Sequence, residues 1–341
     1  MTSALPECSK LIAKLARLKD APVMIVGDVL LDEYLFGDAS RLSPEAPVPV
    51  VLIEEERFML GGAGNVARNI RALGGKPKLI SVCGDGHNSG KLRKILKNEC
   101  IDADLLPLPG RPASTKTRIM ARRQQLVRID REDASPITPE ETARILDKIA
   151  AAWSENTVLV ISDYNKGLIN KAFMDGLQIL RQKRREEIKI LVDPKTPNFP
   201  LYQRVDILTP NATETKEASG LPVHGKEEII AAGQAIFAKN HCQSLLTTLG
   251  SQGMALFQGP NNVLHIPTVA RKVFDVSGAG DTVIATLAMG MAGGINLLEA
   301  CTIANFAAGN VVAEVGTATT SIEKIAEAIT SLGQMPVERW L

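Results

Sequence analysis

An excess of charge of either sign is missing from this sequence of 341 residues: 39 Lys and Arg stand against 38 Asp and Glu, for a formal net charge of +1. A chain so balanced offers no electrostatic footprint for nucleic acid or for an anionic membrane surface. Cysteine is scarce. Cys8, Cys83, Cys100, Cys242 and Cys301 have no short pair spacing, which excludes a disulfide framework and a zinc knuckle and fits a reducing, cytoplasmic compartment. The strongest apolar stretch, 282–298, is broken by Gly290, Gly293 and Gly294; it suits a buried core helix better than a membrane span. No signal-peptide core opens the chain. Lys10, Lys14, Arg17 and Lys19 interleave with Leu11, Ile12, Leu15 and Leu18, which predicts an amphipathic helix, an N-terminal extension over 1–21 ahead of a domain at 22–341. Two nucleotide fingerprints are absent as well. Gly90-Lys91 has Asp85 where the first glycine of a phosphate loop belongs and Leu92 where its hydroxyl residue belongs. Gly27 is followed by Asp28-Val29 rather than by a further glycine, so the dinucleotide-binding pattern fails too. There is no repeat, low-complexity segment or linker.

What is present is alternation. Short apolar runs predict strands at 23–26, 79–82, 158–162, 190–192, 207–209, 245–248 and 254–257. Helical periodicity predicts helices at 64–73, 139–153, 170–184, 226–239, 280–292 and 297–314. Such alternation implies a parallel sheet covered by helices on both faces, with ligands at the carboxyl ends of the strands. Two segments break the pattern: 47–54, with prolines that mark an edge strand, and 115–130. They predict a small sheet projecting from the main domain, near 41–60 and 111–131. It would act as a lid or a pairing surface, or be a plain edge hairpin.

The most informative stretch is Asp275-Val-Ser-Gly-Ala-Gly-Asp281-Thr282, directly before an apolar helix. Gly278, Ala279 and Gly280 leave the backbone N–H groups uncovered at a helix N-terminus, where the dipole favours an anion. Asp281 lies in the first helical turn, placed to accept a proton from a hydroxyl attacking a phosphoryl group. Ordinary capping explains an Asp there equally well.

Together the motifs resemble a known family. Gly61-Gly-Ala-Gly-Asn65-Val-Ala67 and 275–281 are similar to the two signatures of the ribokinase-like (PfkB) carbohydrate kinases. Asn211-Ala-Thr-Glu214 and Thr248-Leu-Gly250-Ser-Gln-Gly253 match that family's N-x-x-E motif and nucleotide loop, and the four occur in the family's order. Within the family, Gly27-Asp28 to Tyr34, Arg41 to Val50, Thr115-Lys116-Thr117-Arg118, Gln124 to Asp130 and Asp163-Tyr164-Asn165-Lys166-Gly167 resemble the branch that phosphorylates the anomeric hydroxyl of D-glycero-D-manno-heptose 7-phosphate, a step toward ADP-heptose for lipopolysaccharide core. None of His87, His224, His241 and His265 forms the H-x-G-H of the adenylyltransferase often fused to such kinases, so a stand-alone kinase is expected. Ser277 replaces the usual Thr of the signature, and Asn165 replaces a common Gly; Asn tolerates the left-handed conformation a turn there needs.

The resemblance implies an α/β ribokinase-like three-layer sandwich, with a central, mostly parallel sheet and a small β lid. It implies ATP and Mg²⁺ as cofactors, and K⁺ held by backbone carbonyls near Asp275, Ser277 and the 311–320 loop. Asp281 would be the base, with Gly278, Ala279 and Gly280 as the anion hole. Glu214 would hold Mg²⁺ through water and Asn211 the phosphate oxygens; the same spacing is that of a capping box. Thr248, Gly250 and Gly253 would line the nucleotide, or simply turn a hairpin, and Asn305 lies on a small-residue helix with room for adenine. Asp28, Asp32, Gly61, Gly62 and Asn65 would face the sugar, with turn and cap roles as the alternatives. Lys116, Arg118 and Lys166, ahead of Arg122 and Arg123, would receive the sugar phosphate. Asp193, in Asp193-Pro194-Lys195, would sit near the phosphates. The implied partners are a phosphorylated heptose and a second copy paired through the lid strands, with neither nucleic acid nor membrane. Two alternatives stay open: a family kinase for another sugar or sugar phosphate, and a non-catalytic sugar-binding regulator on the same scaffold.

Overall fold

The computed structural model describes residues 7–122, 124–153, 157–184, 187–270, 272–314, 316–333 and 337–341. The chain opens with α1 (Cys8–Leu15) and the first strand, β1 (Pro22–Gly27). Two long strands follow at once, β2 (Val29–Leu42) and β3 (Pro49–Gly62), leading into α2 (Ala63–Ala72). Next come β4 (Lys76–Asp85), α3 (His87–Asn98), β5 (Asp102–Pro112), β6 (Thr115–Ala121) and β7 (Gln124–Arg131). The second half runs α4 (Pro139–Ala152), β8 (Val158–Ser162), α5 (Lys171–Lys183), β9 (Lys189–Asp193), β10 (Ile207–Leu208), α6 (Ala212–Ser219), α7 (Lys226–Asn240), β11 (Ser244–Thr248) and β12 (Met254–Phe257). It closes with β13 (Val263–Ile266), α8 (Ala279–Ala292), α9 (Leu297–Val311), α10 (Ile322–Leu332) and β14 (Glu338–Arg339).

All seven strands expected from the apolar runs lie in one sheet, ordered β14-β13-β12-β11-β10-β9-β8-β1-β4-β5. From β11 to β5 every pairing is parallel; β12, β13 and β14 add an antiparallel edge. Runs such as Val158–Ser162 are buried along their whole length, which is why they read as continuous apolar segments rather than alternating ones. One apolar core joins the sheet to α1, α2, α3, α8, α9 and α10; a second, built around Trp153, Phe173 and Phe257, joins the other face to α4, α5 and α7. These are the three layers. Leu11, Leu15 and Leu18 are buried in the first core, so the N-terminal helix is packed into the sandwich.

The second sheet is ordered β3-β2-β6-β7. It is larger than the expected pair of segments, because β2 begins at Val29, two residues after β1 ends. The 102–112 segment belongs instead to the main sheet, as β5 beside β4. The lid exposes Leu42, Leu52, Ile53, Leu126, Val127 and Ile129. Arg123 lies outside the described residues, and its neighbour Arg122 pairs with Asp38 at the rim, 3.0 Å away. Among the described residues no helix is long and apolar enough to cross a membrane, and all five cysteines are free thiols.

Candidate active site

The loops after β8, β9, β10 and β11 converge with the start of α8 around a polar cavity of about 160 Å³, lined by Asp163, Tyr164, Asp193, Lys195, Asn211, Glu214 and Asp281 among others. This is where a parallel sheet opens a crevice. Gly278 is the N-cap of α8, with φ +78°. Ala279 N donates back to Val276 O at 3.2 Å, so that expected donor belongs to the turn; the N–H groups of Gly280 and Asp281 have no partner among the described residues. Unpaired N–H groups at a helix start are an anion cradle.

Asp281 is buried, and both of its oxygens are held. Asn65 Nδ2 donates to Oδ2 at 2.7 Å, and Tyr164 Oη donates to Oδ1 at 2.9 Å. Burial pushes the Asp281 carboxyl up to about 6, against the downward pull of those two donors. The first signature thus grips the second. Thr282 Oγ1 donates to Asn69 Oδ1 at 2.9 Å, and Asn69 Nδ2 to Asn65 O at 2.9 Å. A Cβ on residue 278 would lie 2.8 Å from Asn65 Nδ2, so the glycine leaves that amide its place. Tyr164 is absent from the expected site residues, although it lies in the 163–167 motif; a lone aromatic in a loop carries no periodic signal, and its place just after a strand end and in that motif is what points to it.

Asn211 and Glu214 do form the capping box: Asn211 Oδ1 accepts from Glu214 N at 2.9 Å, and Glu214 Oε2 accepts from Asn211 N at 3.0 Å. Glu214 Oε1 faces Lys195 Nζ at 3.2 Å. Both residues nevertheless line the polar cavity, so cap and site coincide. Burial, and then repulsion from Asp281 and Glu214, hold the Asp193 carboxyl well above the usual range. Such a site favours an incoming positive charge. Among the described residues no cluster of three or more His, Cys, Asp or Glu forms a metal cage; magnesium commonly keeps most of its ligands as water and phosphate oxygens.

Beside the polar cavity lies a second one, of about 740 Å³, lined by Thr248, Gly250, Gly253, Val273, Val276, Asn305, Ala308 and Gly309 among others. Residues 248–253 therefore turn a hairpin between β11 and β12 and also form a cavity wall. Asn305 Nδ2 donates to Pro267 O at 2.7 Å, fixing the segment that follows β13. The cavity meets the polar one at Asn211, Thr248 and Gly280. An apolar compartment that opens onto an anion cradle has the shape and chemistry a nucleotide triphosphate needs. Asp275, next in the chain to the wall residue Val276, accepts from Ser277 N at 2.9 Å and Gly316 N at 3.0 Å.

On the lid side, two of the three expected cations are paired within the chain. Arg118 pairs with Asp32 at 2.6 Å and lies over the Tyr34 ring, and Lys166 pairs with Glu132 at 2.7 Å. Both cations are thus compensated. Lys116 has no ion pair among the described residues; its Nζ lies 5.3 Å from the Tyr164 ring centroid, and burial lowers its pKa. Asp28 is 2% exposed. Its Oδ2 accepts from Tyr164 N and Lys166 N, at 3.0 and 2.9 Å, while its buried Oδ1 has no partner among the described residues and a water-sized cavity lies against the residue. Through Oδ2, Asp28 anchors the turn that carries Tyr164. Asn165 in that turn has φ +56°, the left-handed conformation the sequence implied. Gly62 has φ +58°, and a Cβ there would lie 2.3 Å from Asp28 O and 3.3 Å from Tyr164 Cδ2. Gly61 lies against the Asp32 carboxylate, which a Cβ would approach to 2.4 Å.

This geometry has relatives. The family model for pfkB family carbohydrate kinases matches residues 21–325. A bifunctional protein HldE from Rhodospirillum rubrum is 42% identical over 314 residues, covering 92% of this chain and 62% of that protein. The HldE of Geobacter sulfurreducens is 41% identical over 311 residues, covering 91% and 62%. The chain thus spans about three fifths of the length of these relatives. Among solved structures, phosphofructokinase-2 from Escherichia coli in complex with potassium superposes with a TM-score of 0.76 at 18% identity, covering 92% of this chain and all of that one. Arabidopsis thaliana ribokinase complexed with ribose and ATP superposes with a TM-score of 0.71 at 19% identity, covering 91% and 99%. With both signatures locked together around Asp281 and the family model matching nearly the whole sandwich, the chain belongs to the pfkB family of carbohydrate kinases.

Proposed function

We propose that this protein transfers the γ-phosphoryl group of ATP to the anomeric hydroxyl of a phosphorylated heptose, D-glycero-D-manno-heptose 7-phosphate, giving the 1,7-bisphosphate. The observation that carries the reading is the Asp281 carboxylate, fixed by Asn65 and Tyr164 beside the unpaired N–H groups of Gly280 and Asp281. The base of the larger cavity takes the adenine, and the triphosphate runs to the cradle at the start of α8. The sugar lies between that point and the lid, near Asp32 and Lys116. Asp281 takes the proton of the anomeric hydroxyl; that oxygen bonds to the γ-phosphorus as the bridging P–O bond breaks and ADP leaves. The N–H cradle stabilises charge on the phosphoryl group in flight. Glu214 would hold Mg²⁺ through water, with Asp193 near the phosphate oxygens, and the ion would supply positive charge against the phosphates. The backbone carbonyls near Asp275 and Ser277 would hold a monovalent cation, in a turn tied to the 311–320 loop by Gly316 N donating to Asp275 Oδ2. Lys116, which has no ion pair among the described residues, receives the sugar phosphate, ahead of Arg118 and Lys166. The lid strands, with exposed Leu52 and Val127, pair with a second copy of the chain.

ADP release against a panel of sugars and sugar phosphates tests the substrate. The heptose 7-phosphate is expected to give the highest kcat/KM, and Lys116→Ala to reduce it far more than for the dephosphorylated sugar. A neutral sugar or a hexose phosphate as the preferred acceptor overturns the assignment. Asp281→Asn is expected to lower kcat by roughly 10²–10⁴-fold while ATP·Mg²⁺ binding persists. Because the base must be ionised, kcat/KM of the wild type falls as pH drops through about 6.

A further inference from the structure

Asp281 alone does not fix its own orientation, and the residue that completes its support comes from a loop that neither family signature contains. Tyr164 Oη donates to Asp281 Oδ1 at 2.9 Å. The tyrosine is itself held on several sides. Its backbone N–H donates to buried Asp28 at 3.0 Å, Gly62 leaves its ring room where a Cβ would crowd Cδ2, and the Lys116 ammonium lies 5.3 Å from its ring centroid. Asn165, in the left-handed conformation, turns the chain directly after it. A phenol this constrained, with its hydroxyl on the proposed base, is a built feature of the site.

We propose that Tyr164 is a positioning residue for phosphoryl transfer: its hydroxyl fixes the rotamer of the Asp281 carboxylate and favours its ionised form. The inference deepens the kinase reading and rests on it. The physical argument has two parts. A carboxylate gripped at one oxygen by Asn65 still turns about its Cβ–Cγ bond, and a second donor at the other oxygen removes that freedom, so the attacking hydroxyl meets a preset lone pair. A hydrogen bond donated to the charged form of a carboxylate also lowers its pKa. Tyr164 donates throughout the working range, because burial keeps its phenol well above the ordinary value. The groups facing Asp281 are Asn65 from α2, Asp32 from β2, Lys116 from β6, Asp193 at the end of β9 and Tyr164 itself. Of these, Tyr164 and Asn65 bond to it directly.

The test compares wild type with Tyr164→Phe, which keeps the ring and its packing and removes only the hydroxyl. Carboxyl-¹³C aspartate NMR, with Asp281→Asn to assign the resonance, follows the titration without needing turnover. The Asp281 midpoint is expected to move to higher pH by about one unit in Tyr164→Phe. The acid limb of kcat/KM is expected to move by the same amount, with kcat at its plateau roughly tenfold lower and the KM for ATP unchanged. An unmoved midpoint, or a rate loss equal at every pH, overturns the proposal and leaves Tyr164 a packing residue. Incorporation of 3-fluorotyrosine at 164, whose phenol is a stronger donor, is expected to move the midpoint the opposite way. That arm stands if Tyr164→Phe folds poorly, and a midpoint that stays put there also overturns the proposal. A wild type that releases no ADP with any sugar sinks the kinase reading, while the NMR midpoints still decide the role of Tyr164.

Discussion

At residue 278 two demands meet: a left-handed backbone, and an empty space beside Asn65 Nδ2. Alanine violates both. Strain of this kind costs about 1–3 kcal/mol, and the displaced amide loosens Asp281. Gly278→Ala is therefore expected to lower both the melting temperature and kcat, while Gly280→Ala, whose Cβ meets nothing within 4 Å, leaves the melting temperature nearly unchanged. Thermal melts and initial rates on the two variants decide it; equal effects would refute the account of Gly278. Residue chemistry of this sort was partly legible in the sequence. The Gly-Ala-Gly turn and its Asp stand out in one dimension, because close approach to an anion demands small residues next to each other. Pairing across the chain does not stand out. Nothing in the spacing shows that Arg118 is compensated by Asp32, or that Asp28 accepts from the backbone of 164 and 166.

Among the elements, α6 carries the sharpest ambiguity, since its capping box and a metal-holding pair require the same two residues. The two roles separate chemically. Glutamine at 214 preserves the reciprocal cap, because its amide oxygen accepts from Asn211 N, but it removes the negative charge. Glu214→Gln is expected to keep the melting temperature close to wild type and to raise the Mg²⁺ concentration needed for half-maximal rate by about tenfold or more. Glu214→Ala is expected to lose in addition about 1 kcal/mol of stability. A Mg²⁺ dependence unchanged in Glu214→Gln would reduce the residue to a cap. Element reading from sequence succeeded where burial is two-sided, as in β8 and β12, whose ends were expected at the residues observed. It failed for β2, whose segment mixes Asp32, Glu33, Asp38 and Arg41 with apolar residues and follows β1 after a single residue. It failed for β5 too, where Pro107, Pro112 and an exposed outer edge hide the strand.

For the whole molecule, the lid decides how much of the surface is free. Leu52 and Val127 are 70% and 46% exposed on it, and apolar area of that kind favours association. Light scattering at assay concentration is expected to give twice the chain mass for the wild type and a single chain mass for Leu52→Asp combined with Val127→Asp, with helical content retained. A monomeric wild type would count against pairing through the lid. The grip of Asn65 on Asp281, reinforced by Asn69 on Thr282, also has a consequence for how this chain can be recombined. The two contacts join helices more than 200 positions apart in the chain. A chimera that takes α2 from one parent and α8 from another inherits half of each contact. Such crossovers are viable only when both parents supply an amide at 65 together with no side chain at 278, so a library shuffled between these helices would yield active progeny in linked pairs.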